Sequence, residues 1–523
     1  MNATNVLLYD TTLRDGTQGE QVNLSLEDKL KIARRLDDMG FDYIEGGWPG
    51  SNPKDQRFFQ LAREMQFKHA KIAAFGSTRK PAVAVENCPN VQALLEADTG
   101  TVTIVGKTWD LHATDILGVS LDENIRMIEE TIGFLKERGK EVVFDAEHFF
   151  DGFKNNRTYA LAAIRAAHDA GADYTVLCDT NGGSLPWEVE HIATDAAAVV
   201  PVQRLGIHTH NDCGLAVANS LAALRCGVRM VQGTVNGFGE RCGNADLTTV
   251  VGCLALKMER PCLPQESIKN LTAFSRYVSD VANVPPLRSR PFVGVSAFAH
   301  KGGVHVSAIA KNPRAYEQMD PSLVGNKRRV LVSDLSGKST IKYKAEEMGL
   351  DLGDGAAAVV ADIKRLEDQG YQFEAAGGSL ELLMRRHGGL FREPFKLESF
   401  SVMDQRAGEG ASRSQATIKI SVGSEDEIAA AEGNGPVNAL DSALRKALLK
   451  FFPGVKELGL VDFKVSILEG SDGTAAKVRV FIESRDKADV WTTVGVSTNI
   501  IEASWIALAD SFIYKILKDE GRS

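Results

Sequence analysis

No stretch of this 523-residue chain approaches the roughly 20 consecutive apolar residues that a membrane-spanning helix requires. Met1-Asn2-Ala3-Thr4-Asn5 has no basic segment leading into an apolar one, so no secretory leader is expected. The seven cysteines, at positions 88, 178, 213, 226, 242, 253 and 262, form no C-x-x-C pair and are odd in number. That argues against a disulfide framework and fits scattered reduced thiols. Positive charge is not in surplus either. A net charge of -9 speaks against non-specific binding to nucleic acid or an anionic membrane, although a local cluster of donors can still receive a small anion. The expectation is a cytoplasmic protein. The hydrophobic fraction of 44% and charged fraction of 25% are those of a globular chain, and the length is enough for about three domains.

From residue 6 to about 250, short β-rich runs alternate with amphipathic segments. Strands are predicted over Val6–Thr11, Tyr43–Gly47, Lys71–Phe75, Thr101–Val105, Glu141–Asp145, Tyr174–Cys178, Leu205–His210 and Met230–Val235. Between the first two, Ser25-Leu26-Glu27-Asp28 resembles a capping box, Leu30, Ala33, Leu36 and Met39 repeat at helical spacing, and Gly40 is the stop. Such alternation requires parallel strands with crossover helices. Eight units in roughly 250 residues is the size of a (β/α)8 TIM barrel, assigned to residues 1–265; an open doubly wound sheet is the alternative. Residues 266–390 read as helical linker subdomains, with helices over Ile268–Val281, Gly355–Gln369 and Ser379–His387. Residues 391–523 read as an α+β domain with an internal repeat. Strands Leu397–Met403 and Ala416–Val422 precede a helix opening near Gly435, and Asp462–Leu468 and Ala476–Ser484 precede one opening near Asn499. Two strand–strand–helix copies point to a pocket or dimer surface between them. Residues 407–414 are predicted to be a mobile loop.

The segment Gly206-Ile207-His208-Thr209-His210-Asn211-Asp212 carries the most chemistry. On a strand, His208 and His210 share one face, a natural start to a divalent-metal site. Alone, the pair fits equally well a solvated strand end or a core histidine beside an exposed one. Asp15, just after the first apolar run, offers a third ligand. Other polar side chains collect at predicted strand ends: Arg14, Glu45, Asp145, Glu147 and His148, Asp179 to Asn181, and Asn236. A barrel enzyme builds its active site at that rim. Gly237, Gly239 and Gly243 have the spacing G-x-G-x-x-x-G, not that of a dinucleotide loop. They suit a loop capping the eighth strand, where Asn244 can offer a carbonyl oxygen to a metal.

Leu13-Arg14-Asp15-Gly16-Thr17-Gln18, His208-Thr209-His210-Asn211-Asp212 and Asn236-Gly237-Phe238-Gly239-Glu240-Arg241-Cys242-Gly243-Asn244 together resemble the isopropylmalate, homocitrate and citramalate synthase family. Its members are metal-dependent TIM-barrel acyltransferases that condense acetyl-CoA with a 2-oxo acid, and the resemblance runs through the linker subdomains and a C-terminal regulatory domain. It implies Asp15, His208 and His210 as metal ligands, with Asn244 as a direct or water-mediated fourth. Mixed N and O donors suit Mn, Mg, Co or Zn without choosing among them. Arg14 is expected to stabilise the oxygen that gains charge, rather than simply to pair with Asp15. Glu147 is expected to position or polarise the reacting groups, with a salt bridge to Arg14 as its structural role. Thr180 is expected to bind the oxo-acid carboxylate, where the plainer role is a strand-end cap. In Phe298-Ala299-His300-Lys301-Gly302-Gly303-Val304-His305 the two histidines are five apart, which is not a same-face helical spacing. His305 matches the second histidine of the family's HxxGxH motif and Tyr316 its catalytic tyrosine; the alternative for Tyr316 is an exposed loop residue. In the family these groups come from a neighbouring subunit, so a homodimer is implied.

The segment from Ile44 to Asp55, with Trp48, is similar to the citramalate-forming version of the family. That implies pyruvate as the oxo acid and isoleucine as a feedback effector. The alternative is 2-oxoisovalerate, with leucine as the effector. Two other classes compete. A metal-dependent lyase would leave the C-terminal repeat without a purpose, and a non-catalytic amino-acid sensor would leave the rim constellation idle.

Overall fold

Eight strands close on themselves in the computed structural model, which describes residues 5–406, 413–468, 473 and 475–521. They are β1 (Leu7–Asp10), β2 (Tyr43–Gly47), β3 (Lys71–Ser77), β4 (Thr101–Lys107), β5 (Glu141–Glu147), β6 (Tyr174–Asp179), β7 (Leu205–Thr209) and β8 (Met230–Gly233). All neighbours are parallel, and β1 pairs with β8 from Leu7 opposite Met230 to Asp10 opposite Gly233. Closure by that pairing excludes the open sheet. Tyr9, Tyr43, Val143, Val176 and Met230 pack inside, with the Tyr9 and Tyr43 rings stacked at 5.4 Å. Three strands outrun their apolar patterns by two residues. β4 and β5, for example, stay in register through Gly106 opposite Ala146 and Lys107 opposite Glu147. Their rim residues are polar yet keep the ladder, so hydrophobicity alone hides the true strand ends.

Helix α1 (Leu26–Met39) begins at the expected capping box, with the Ser25 side chain accepting from the Asp28 N–H, and ends at Gly40, whose φ of 91° suits a residue without Cβ. Its packed face is wider than the periodicity implied. Ile32 and Lys29 are buried while Leu30 is only half-buried. The Lys29 ammonium is tolerated there because it donates to Gly46 O at 3.2 Å and ion-pairs with the buried Asp55. Asp55 in turn accepts from the Trp48 N–H at 3.0 Å, which holds the turn after β2.

The chain divides into two compact units. One runs to Phe298 and includes Pro321–Lys327; the other comprises Ala299–Asp320 and everything from Arg328. In the second unit, helices Gly303–Lys311 and Lys338–Glu347 add to those expected, and Ile341, Val359, Ile363, Leu383 and Met384 share a core. Further on, each repeat has three antiparallel strands before its helix, not two. The strand missing from the first copy is Glu425–Gly433, an acidic, alanine-rich stretch with poor strand propensity. It pairs with Arg413–Val422 along its whole length, and cross-strand context overrides propensity. Helices Pro436–Leu448 and Ile500–Glu520 bring Leu440, Leu444, Leu508 and Phe512 into one core beneath both sheets. The predicted 407–414 loop falls on residues 407–412, outside the described residues, while Arg413 and Ser414 open a strand. Among the described residues no helix is long and apolar enough to cross a membrane, and the cysteines form no disulfide.

Asp37, buried in the last turn of α1, receives the backbone N–H groups of Lys68, His69 and Ala70 at 2.8–3.0 Å and fixes the entry to β3. Burial disfavours its charge, but the three donors outweigh that and hold the carboxyl below its ordinary range. A depressed folded-state pKa contributes stability above the unfolded value, and that stability is lost as pH falls. Asp37→Ala is therefore expected to cost about 2 kcal/mol at neutral pH. In urea unfolding, the gap from the native chain should close on acidification.

Candidate active site

The 3-10 turn that follows β1, Asp15–Gln18, swings Asp15 over the C-terminal mouth of the barrel. There Asp15 Oδ2 lies 3.2 Å from His208 Nε2 and 3.9 Å from His210 Nε2, and the two imidazole nitrogens are 3.3 Å apart. All three residues are buried, and one ligand atom from each falls within 4.8 Å of the others. Two imidazole nitrogens and a carboxylate oxygen converging so closely form a possible divalent-metal site.

The surroundings fit that use. Asn244 stands opposite His210 in an isolated antiparallel bridge, and its Nδ2 donates to Phe238 O at 3.1 Å. Its Oδ1 is buried with no hydrogen-bond partner among the described residues, an acceptor of the kind that a metal or a bound water would satisfy. Gly239, at φ 152°, lies directly under that amide, where any Cβ would collide with it. Burial and then the charge of His208 push His210 down to about 4, so it is neutral and able to ligate at physiological pH. Burial would also push His208 down, but its hydrogen bond with Asp15 and the Asp15 charge outweigh that and hold it up. Asp15 itself is raised by burial and, more strongly, lowered by Arg14 and His208, so it stays ionised.

Arg14 is gripped from three sides. Its Nε donates to Glu45 Oε1 at 2.6 Å, its Nη1 lies 3.7 Å from Asp15 Oδ1, and its guanidinium carbon sits 3.8 Å above the centre of the Phe75 ring. The salt bridge to Arg14 expected of Glu147 is not made. Arg14 uses the fully buried Glu45, which Tyr9 OH also reaches at 3.0 Å, and Glu147 ion-pairs with its register neighbour Lys107. Glu45 was visible as a rim residue, but nothing in the linear pattern tied it to Arg14. Trp48 packs edge-on to Phe75 at 5.4 Å and is held by Asn90, to which its indole N–H donates at 2.8 Å.

These groups line a cavity of about 460 Å³. Arg14, Asp15, Glu147, Thr180, His208 and His210 contribute to its wall, together with Trp48, Phe75 and Asp145. The Thr180 hydroxyl oxygen accepts from the His148 N–H at 2.9 Å, which leaves its own proton free to donate. Arg241 joins three rim loops, donating to Asp212 at 2.8 and 3.0 Å and to Thr180 O at 2.7 Å. His305 and Tyr316 belong to the second unit, where their rings stack at 4.1 Å on an exposed surface. His300 has a different task, as the five-residue spacing implied. It lies 3.2 Å from Glu317, which also binds Arg328.

A family model described as HMGL-like matches residues 5–278, one described as homocitrate synthase post-HMGL domain-like matches 292–371, and one described as LeuA allosteric (dimerisation) domain matches 374–515. The (R)-citramalate synthase of Aquifex aeolicus is 52% identical over 99% of each chain, and that of Geobacter sulfurreducens 51% identical over 98% of each. The chain belongs to the (R)-citramalate synthase family. A 2-isopropylmalate synthase from Pseudoalteromonas atlantica is 33% identical over 96% of this chain and 94% of that one. Membership of the citramalate synthase family thus rests on matches at markedly higher identity than the isopropylmalate branch provides.

Asp15→Ala is expected to abolish Mn2+ binding in calorimetry, and Asn244→Ala to weaken it. Because Asp15 favours a proton on His208, affinity should fall as pH is lowered and binding should release a proton. Undiminished binding by the Asp15 variant would dismantle the site.

Proposed function

We propose that this chain condenses acetyl-CoA with pyruvate to give (R)-citramalate and free CoA. The observation that carries the reading is the Asp15, His208 and His210 convergence beside Arg14, in a chain about half identical to (R)-citramalate synthases over nearly its full length. A divalent cation held by Asp15, His208 and His210, with Asn244 in reach, would supply Lewis acidity toward the keto and carboxylate oxygens of the oxo acid.

The remaining steps belong to side chains. Thr180 donates to the substrate carboxylate and fixes its orientation. From a second copy of the chain in the proposed homodimer, His305 takes a proton from the acetyl methyl group, and Tyr316, stacked on it, donates to the enolate oxygen. The enolate carbon bonds to the pyruvate keto carbon, and Arg14, pre-aligned by Glu45 and Phe75, stabilises the oxygen that becomes anionic. Glu147, partnered by Lys107, orients the reacting carbonyl. Protonation of that oxygen and attack of water on the thioester then release citramalate and CoA. Removing Arg14 is expected to lower kcat about 10²- to 10³-fold, as for loss of other oxyanion donors.

Preference for a small oxo acid is supported by the wall that Trp48 and Phe75 form on the cavity. A few methylenes are worth only about 1–3 kcal/mol each, so packing at that wall is enough to discriminate. Free CoA released from acetyl-CoA is the direct test. Pyruvate should give faster release than 2-oxoisovalerate, and the opposite order would move the chain to the isopropylmalate branch. The C-terminal two-sheet domain is proposed to bind isoleucine as a feedback effector in a homodimer. Saturating isoleucine should depress turnover, and indifference to both isoleucine and leucine would remove that role.

A further inference from the structure

Gln232 does none of the tasks above, yet it spans the interior of the barrel. It lies on β8 opposite His208 of β7 and is fully buried. Its Oε1 is 2.9 Å from His208 Nδ1, and its Nε2 donates to Asp145 Oδ1 of β5, also at 2.9 Å. We propose that Gln232, oriented by Asp145, is a positioning residue that fixes the ring of His208 so that Nε2 faces the cation. The inference rests on the reading that Asp15, His208 and His210 hold that cation.

An amide has one donating end and one accepting end. The Asp145 carboxyl oxygen accepts, so it draws the Nε2 end of Gln232 and turns the amide oxygen toward His208. Oxygen there can only accept, so the hydrogen resides on His208 Nδ1, and the ring cannot turn over without leaving a buried amide oxygen unpaired. The opposite ring nitrogen then points where Asp15 Oδ2 and His210 Nε2 lie, 3.2 and 3.3 Å away. His210 has no such anchor: its Nδ1 is buried without a partner among the described residues. One imidazole of the pair is therefore fixed through two side chains from non-adjacent strands, and the other is placed by its backbone bridge to Asn244.

The test is Mn2+ titration calorimetry on the full chain after chelator treatment, with circular dichroism to confirm folding. Gln232→Met keeps the volume but removes the acceptor, and should weaken Mn2+ about 10- to 100-fold. Gln232→Glu combined with Asp145→Asn keeps an acceptor for Nδ1–H and a donor–acceptor pair between β8 and β5, and should bind Mn2+ close to the native value. A space-filling role would leave the Gln232→Met constant unchanged, and that result overturns the proposal. A folded Gln232→Glu, Asp145→Asn chain with lost affinity overturns it as well, and decides the matter alone if the methionine variant fails to fold. Asp15→Ala is the control. If it binds like the native chain, the cation reading itself fails; if it loses binding while Gln232→Met keeps it, only the role of Gln232 falls.

Discussion

Two imidazoles and a carboxylate from opposite ends of the barrel sequence meet over a closed cylinder, and every other feature of the site follows from holding them there. Asp15 follows β1 while His208 and His210 sit at the end of β7, so their meeting depends on β8 pairing with β1. An open sheet would leave β1 and β8 unpaired and give no reason for these groups to converge. The fold is thus a precondition of the chemistry. In such a barrel the interior packs for stability and the C-terminal loops are free to carry function. Here the apolar and aromatic interior includes Tyr9, Tyr43, Val143 and Met230, and polar side chains enter with Glu45, Asp145 and Gln232.

Above that layer, candidate site residues have dedicated supports. Arg14 has Glu45 and Phe75, His208 has Gln232, Asn244 has the open space at Gly239, and Glu147 has Lys107. Side chains supported in this way lose little further freedom on binding, which is how geometry becomes rate. The rim loops are joined to one another by Arg241, and the turn after β2 is held from below by the Lys29–Asp55 pair.

Much of this was legible in the residues themselves. The strand–helix alternation, the Ser25 capping box and the H-x-H pair are local patterns, and each is set by backbone geometry that spacing reveals. The supports were not legible, for a physical reason. Glu45 and Gln232 act from the neighbouring strand, 31 residues from Arg14 and 24 from His208, and no periodicity within one element links positions that strand pairing brings together. The burial of Lys29 was hidden for a related reason: a lysine on a helix shows no apolar periodicity, and only its buried partner Asp55 explains its place. The strand at Glu425–Gly433 was hidden because its composition is that of a helix, and only its neighbour decides otherwise.

Charge bookkeeping at the rim explains why so polar a layer can stay buried. Asp15, Glu45 and Asp145 bring three carboxyl groups into or against one cavity, and the Arg14 guanidinium meets two of them, at 2.6 Å for Glu45 and 3.7 Å for Asp15. Arg14, even with a proton on His208, does not balance three negative charges in a poorly solvated space. The remaining group yields: burial, and then the neighbouring Glu45, push the Asp145 carboxyl up toward its neutral form. Asp15 behaves oppositely and stays ionised beside Arg14 and His208. The carboxylate that faces the two imidazoles is therefore the one kept charged, while Asp145 can carry a proton on Oδ2 and still accept from Gln232 at Oδ1. A stability-optimised barrel would fill this layer with apolar side chains. Retaining it places a fixed negative charge where a divalent cation would relieve the cost of burial, so the same desolvation that costs stability would strengthen the attraction for the ion.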